Sequence, residues 1–237
     1  MIELRRSGRP LLIGHRGAAA LAPENSLAAI EAAARAGVDG VELDVLPDRD
    51  GRVVLAHGPE IPRDAPSLAE GLALVAELGL VVQIDVKTRG VEEGVVGDLR
   101  AAGLDDRGFV SSFSLPSLAH FAELAPELPR ALTYPEDRYG VSASRLLQPL
   151  VGPGLAAMRA ALPRRLPRWL RAAGAVGATL NWGVVTPKTI EVCHGLGVAV
   201  LAWTVNDAGL AKSLVESGID AIITDDPRIA PGGRTDT

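Results

Sequence analysis

With 237 residues, 47% of them hydrophobic and 22% charged, the chain has the make-up of an ordinary globular protein, and α/β barrels of this length fold as one domain. Its net charge of −5 excludes a basic surface suited to nucleic acid or to acidic membranes. The single cysteine, Cys193, excludes an internal disulfide framework, and the apolar run Leu11-Leu12-Ile13 is too short for a signal-peptide core or a membrane span. These features describe a soluble cytoplasmic protein organised as one domain over residues 1–237.

Taken in order, the chain alternates short apolar runs with alanine-rich helical stretches. Leu11 to Gly14 is predicted as the first strand, ending in His15-Arg16-Gly17. A helix follows from Leu27 to Ala36, capped by Asn25 or Ser26 and closed by Gly37. Gly40 to Val45 is the second strand. Asp50-Gly51 marks a turn, and Arg52 to Ala56 returns as a short partner strand ending at His57. Ser67 to Leu78 reads as a helix and Val81 to Val86 as the next strand, with Lys87 behind it. Val91 to Ala102 is helical, Phe109 to Ser112 a strand, Ser117 to Leu124 a helix and Arg130 to Tyr134 a strand.

Residues 141–177 show no clear pattern. The basic run from Arg159 to Arg171 contains Pro163 and Pro167, so it is assigned to a solvated outer helix or loop rather than to a long amphipathic helix, and no stable membrane association is expected. The alternation resumes with a strand from Ala178 to Trp182, a helix from Pro187 to Leu196, a strand from Val198 to Trp203, a helix from Ala208 to Ser217 and a last strand from Ala221 to Thr224. Without the hairpin partner this makes eight strands, which implies an α/β fold closed as a (β/α)8 TIM barrel with a short insertion after the second strand. The competing open doubly wound sheet lacks a glycine-rich dinucleotide fingerprint after any strand.

Side chains alternate faces along a strand, so Glu42 and Asp44 share one face of Val41-Glu42-Leu43-Asp44-Val45, and Asp85 and Lys87 repeat that spacing. Two carboxylates this close repel unless a cation or protons offset them, and hard oxygen ligands suit Mg²⁺ or Ca²⁺ better than zinc. In a barrel, the carboxyl ends of the strands form the active face, which collects His15, Arg16, Glu42, Asp44, His57, Asp85 and Lys87. This set fits phosphoryl-ester hydrolysis. Glu42, Asp44 and Asp85 would hold one divalent cation, Arg16 and Lys87 would clamp phosphate oxygens, and His15 and His57 would serve as general acid and base. Only Lys87, Lys188 and Lys212 are lysines among the 24 basic residues, so a lysine at a strand end points to a need for a compact charge. His120 and His194 fall within predicted helices and read as ordinary helix-face residues.

Ile13-Gly14-His15-Arg16-Gly17, Ala22-Pro23-Glu24-Asn25-Ser26, Val41-Glu42-Leu43-Asp44 and the later His57 together resemble the glycerophosphodiester phosphodiesterase family. The similarity continues through Ser111-Ser112-Phe113, Ala202-Trp203-Thr204-Val205-Asn206 and Ile222-Ile223-Thr224-Asp225. The resemblance implies a TIM barrel that hydrolyses glycerophosphodiesters to sn-glycerol 3-phosphate and an alcohol. It implies His15 and His57 as the acid/base pair, Glu42, Asp44 and Asp85 as metal ligands, and Arg16 and Lys87 on the phosphate. It further implies Trp203 on the glycerol side of the pocket, with Glu24 and Asn25 holding the first loop. The chain departs from the family pattern in four places: Gly58 follows His57 where aspartate is usual, Pro62-Arg63-Asp64-Ala65 stands in place of a common arginine-threonine-threonine segment, Asp85 stands where glutamate is common, and only about 35 residues, 46–80, separate the second and third strands. Two further readings share the constellation: a lysophospholipase D acting on acylated glycerophosphodiesters, and a catalytically silent phosphodiester-binding barrel.

Overall fold

The structure is a computed structural model that describes residues 4–5, 8–58, 60–136 and 148–229. The strands are β1 (Leu11–Gly14), β2 (Gly40–Pro47), β3 (Val53–Leu55), β4 (Val81–Val86), β5 (Gly108–Ser112), β6 (Arg130–Tyr134), β7 (Gly177–Asn181), β8 (Ala199–Trp203) and β9 (Ala221–Thr224). The helices are α1 (Leu27–Arg35), α2 (Leu68–Glu77), α3 (Glu92–Ala101), α4 (Leu115–Leu124), α5 (Gln148–Ala173), α6 (Pro187–Gly195) and α7 (Ala208–Glu216). Eight strands pair in parallel in the order β1-β9-β8-β7-β6-β5-β4-β2, and the β1–β2 pairing closes the ring. The expected (β/α)8 barrel is therefore the fold. β3 adds to β2 in antiparallel register outside the ring, through a turn in which Gly51 takes φ 81° and Asp48 Oδ1 accepts from the Asp50 and Arg52 amides. Among the described residues no helix is long and apolar enough to cross a membrane.

The strands form because nearly every residue in them is buried on both faces, the signature of a parallel sheet covered by helices. Outward side chains such as Val41, Leu43, Val45, Val82, Ile84 and Val86 pack against the helices. Inward side chains such as Leu11, Ile13, Phe109, Ala131, Leu201 and Ile223 fill the barrel from within, together with Leu4 at its base. Caps fix where helices begin. The Ser26 Oγ accepts from the Ala29 amide at 3.1 Å, and Ser67 with Glu70 forms a reciprocal capping box, each cap contributing about 1 kcal/mol. The α4 helix starts at Leu115, two residues before expected, because Ser114 caps it and Pro116 is accepted in its first turn.

The basic run is the outer helix of the two expected alternatives, but it is longer than its prolines suggest. Residues 148–173 form one helix of 26 residues that passes through Pro153, Pro163 and Pro167. Leu162, Leu166 and Leu170 recur every fourth residue and are all buried. Burying them at about 1.5–3 kcal/mol each offsets the two prolines between Leu162 and Leu170, each costing about 3 kcal/mol in a helix interior. Arg164, Arg165, Arg168 and Arg171 remain on the exposed side, as a solvated outer helix requires.

Candidate active site

The mouth at the carboxyl ends of the strands begins with the loop after β1. A Cβ on Gly14 would lie 1.7 Å from the Gly17 carbonyl oxygen, so the turn closes only around glycine. Arg16 and Asn25 both adopt left-handed backbone, at φ 52° and 54°, a conformation that costs non-glycine residues about 1–2 kcal/mol. Hydrogen bonds hold both in place: the Arg16 amide donates to Glu42 Oε2 at 2.9 Å, the Asn25 amide to the Arg16 carbonyl at 3.0 Å, and the Gly17 amide to the Glu42 carbonyl at 3.1 Å. Such strain, maintained by the surrounding contacts, is common at functional sites.

Asp44 and Asp85 are direct neighbours across the β2–β4 pairing, and Glu42 lies two residues deeper on β2. One carboxylate oxygen from each of the three lies within 4.8 Å of the others, and all three side chains are buried. Burial and the neighbouring Asp44 push the Glu42 carboxyl well above its ordinary range, with Lys87 opposing. Burial also acts to raise Asp44, but Lys87 and Arg16 outweigh it and hold Asp44 low. Asn25 orients Asp44 from both sides, its Nδ2 donating to Oδ2 at 3.2 Å and its Oδ1 accepting from the Asp44 amide at 3.1 Å. Asp44 Oδ1 makes no well-directed hydrogen bond, although Lys87 Nζ lies 2.6 Å away. A buried, under-satisfied carboxylate oxygen beside two more carboxylates is a donor set that can hold a metal ion.

The two expected phosphate ligands are both engaged with carboxylates. Lys87 Nζ contacts Asp44 Oδ1 and Asp85 Oδ2, and those charges with Glu42 raise its pKa despite burial. Arg16 donates from Nη1 to Glu24 Oε2 at 2.5 Å, and its Nε lies 2.9 Å from Asp44 Oδ2. Glu24 thus anchors Arg16, as the first-loop reading anticipates.

His15 Nδ1 lies 2.6 Å from Asp225 Oδ1, and its Nε2 faces Glu42 Oε2 at 3.9 Å. Asp225 in turn accepts from Asn206 Nδ2 at 2.5 Å, while Asn206 Oδ1 accepts from the Asp225 amide and Thr224 Oγ1. Burial works to raise Asp225, and its bonds to His15 and Asn206 outweigh that and hold it low. His57 stands apart. It follows β3, tied to the site through the Ala56 amide, which donates to the Asp44 carbonyl at 3.0 Å. Its exposed side chain borders a cavity of about 270 Å³ that also touches Glu24, Asn25 and Asp64. Partial shielding of the ring from solvent, with Arg16 and Lys87 nearby, lowers its pKa, with Asp44 opposing.

Trp203, at the end of β8, donates from Nε1 to the Thr179 carbonyl at 3.1 Å and meets Phe113 edge-on at 6.5 Å. Lys87 Nζ is 5.4 Å from the Phe113 ring, which links the aromatic wall to the charged cluster. His120 and His194 lie on α4 and α6 as expected; His194 Nε2 lies 2.7 Å from Asp220 Oδ2. The structure therefore brings His15, Arg16, Glu42, Asp44, Asp85 and Lys87 into one network, with His57 and Trp203 at its rim. Asp225 had no role assigned from sequence. Its position one residue past β9, beside the closing strand β1, marks it by the same strand-end rule that found His15. A larger cavity of about 770 Å³, bounded by Asp48, Arg49, Arg52 and Arg63, lies beside the β2–β3 hairpin and contains none of the three carboxylates.

A closed parallel barrel whose strand-end carboxylates, histidine and cations converge at one mouth defines a TIM-barrel protein of the enzyme type. A sequence profile of the glycerophosphoryl diester phosphodiesterase family matches residues 15–68 and 74–229, and the chain belongs to that family. It is 27% identical over 256 residues to a glycerophosphodiester phosphodiesterase of Caldanaerobacter subterraneus subsp. tengcongensis, covering 92% of this chain and 95% of the relative. Its fold matches a glycerophosphodiester phosphodiesterase from Parabacteroides distasonis with TM-score 0.72 at 21% identity, covering 93% of this chain and 94% of the other. It also matches an Oleispira antarctica phosphodiesterase in complex with the product sn-glycerol-3-phosphate, with TM-score 0.71 at 22% identity, covering 93% and 94%.

Proposed function

We propose that the protein hydrolyses glycerophosphodiesters to sn-glycerol 3-phosphate and an alcohol, in the cytoplasm, with residues 1–237 acting as one catalytic domain. The observation that carries this reading is the convergence of Glu42, Asp44 and Asp85 beside the His15–Asp225 pair, within a chain of this family. The product bound by the Oleispira enzyme supports the same chemistry. Glu42, Asp44 and Asp85 would hold one divalent cation, Mg²⁺ or Ca²⁺ by the hardness of their oxygens. When bound, it supplies positive charge against the phosphoryl oxygens as negative charge builds there.

The rest follows from the side chains. Asp225 takes the Nδ1–H of His15 and so leaves Nε2 as the nitrogen that exchanges a proton at the mouth. His57, its pKa lowered, is neutral at neutral pH and accepts the proton of the attacking water, while His15 donates to the departing alcohol. Lys87 has three N–H donors, gives one to Asp85 and lies in ion-pair contact with Asp44, so a donor remains for a phosphoryl oxygen; Arg16 likewise keeps unused guanidinium donors. Trp203 offers its ring to the glycerol carbons. Release of glycerol 3-phosphate from glycerophosphocholine, measured with and without EDTA, tests the reading. Product that disappears on chelation and returns with Mg²⁺ or Ca²⁺ is expected. No product under any cation overturns the activity, and full turnover after exhaustive chelation overturns the metal.

A further inference from the structure

Beneath the mouth, Gln83, Ser111 and Thr133 form a buried polar chain behind Asp85 that no catalytic role has absorbed. Gln83 Nε2 donates to Ser111 Oγ at 2.9 Å, Ser111 Oγ donates to Asp85 Oδ1 at 2.5 Å, and Thr133 Oγ1 donates to the same oxygen at 3.1 Å. All four side chains are at most 5% exposed. They come from three adjacent strands, and Ser111 is the direct register partner of Asp85 across β4–β5. A hydroxyl carries one proton. Because the Gln83 amide fills the acceptor side of Ser111, that proton is committed to Asp85. The other carboxylate oxygen, Oδ2, contacts Lys87 Nζ, which also touches Asp44, so Oδ2 is the oxygen on the Asp44 side. Gln83 Oε1 makes no hydrogen bond, so the amide's one bond in the network is the one that steers Ser111.

We propose that Ser111, steered by Gln83, is a positioning residue that occupies Oδ1 of Asp85 and turns Oδ2 alone toward Glu42 and Asp44 as the cation ligand. The inference rests on the cation reading above. It explains why a strand that buries Phe109 and Val110 also buries a hydroxyl. Partners behind a metal ligand govern affinity as well as geometry.

The test is calorimetric titration of Mg²⁺, Ca²⁺ and Mn²⁺ into the chelator-stripped full-length protein, alongside thermal melts. Ser111→Ala should weaken cation binding by about 10–100-fold, the range for loss of such a partner. Ser111→Thr, which keeps a donor, should restore it. Gln83→Met should weaken binding less, and the double variant should bind no worse than Ser111→Ala, because Gln83 acts only through Ser111. Should Ser111→Ala not fold, Ser111→Cys, with its weaker donor, should show the intermediate loss. Wild-type affinity in a folded Ser111→Ala or Ser111→Cys, with only the melting temperature lowered, overturns the positioning role, as do additive effects of the two sites. Wild-type protein that binds none of the three ions overturns the cation reading itself.

Discussion

The two ends of this barrel are built from the same strands and differ in almost every side chain that faces inward. At the base, Leu4, Leu11, Phe109, Ala131, Ala199 and Ala221 form an apolar plug. Two steps up each strand, about 13 Å along it, the corresponding positions are His15, Phe113, Trp203 and Asp225, and β4 passes from Val81 through Gln83 to Asp85. The base buries apolar surface without cost, whereas the mouth holds three carboxylates together against their repulsion. Stability and chemistry therefore occupy different ends of one interior. Weakening the base should then change the reaction little, and most substitutions at the mouth should leave the chain folded.

Substitutions at the two ends test that separation. The largest effect is expected at the mouth: His15→Ala and His57→Ala should each lower kcat by about 10²–10⁴-fold while the fold stays intact. A variant of either that keeps wild-type turnover removes that histidine from the mechanism. At the base, Phe109→Ala should cost about 3–5 kcal/mol in urea unfolding while kcat per folded molecule stays at the wild-type value. A proportional loss of kcat would show that the ends are coupled.

Lys87→Met sharpens the contrast within the mouth. A phosphate clamp predicts that kcat/KM falls by the equivalent of about 2–4 kcal/mol, with cation affinity equal or tighter because a repelling charge has gone. A lysine that only neutralises Asp44 and Asp85 predicts instead lower thermal stability and unchanged turnover per folded molecule.

The smallest effect concerns acid stability. Asp225 is held below its ordinary range, so it stabilises the fold fully above the ordinary carboxylate range. That contribution is lost as pH falls through its depressed pKa. Chemical denaturation of the wild type and Asp225→Asn across pH should show curves that separate near neutrality and converge below about pH 4. Curves that stay parallel would mean that the bond to His15 adds nothing to stability.

How much of this was legible in the sequence depends on the range of the interaction. Strands showed as apolar runs, and period-two spacing was enough to place Glu42 beside Asp44 and Asp85 beside Lys87, because strand alternation is local geometry. The pairing of His15 with Asp225 spans 210 residues and depends on ring closure, which no local pattern encodes. Ser111 belongs to a motif that carries the family resemblance, but its link to Asp85 could not be read from the sequence because that partner lies on the neighbouring strand. The α5 helix was expected as an outer helix or loop, but its length was not, because a local rule about proline yields to long-range packing of Leu162, Leu166 and Leu170. Arg16 was read as a phosphate ligand, while its engagement with Glu24 and Asp44 depends on a left-handed backbone visible only in three dimensions.

The seam between β1 and β9 has a temporal consequence. His15 lies near the start of the chain and Asp225 near its end, and the barrel closes only when β9 docks against β1. A nascent chain emerging from the ribosome would carry all three carboxylates and both histidines long before His15 could find its partner. Catalytic competence would then wait for β9, about 210 residues after His15, and a chain grown only as far as β8 would not hydrolyse phosphodiesters.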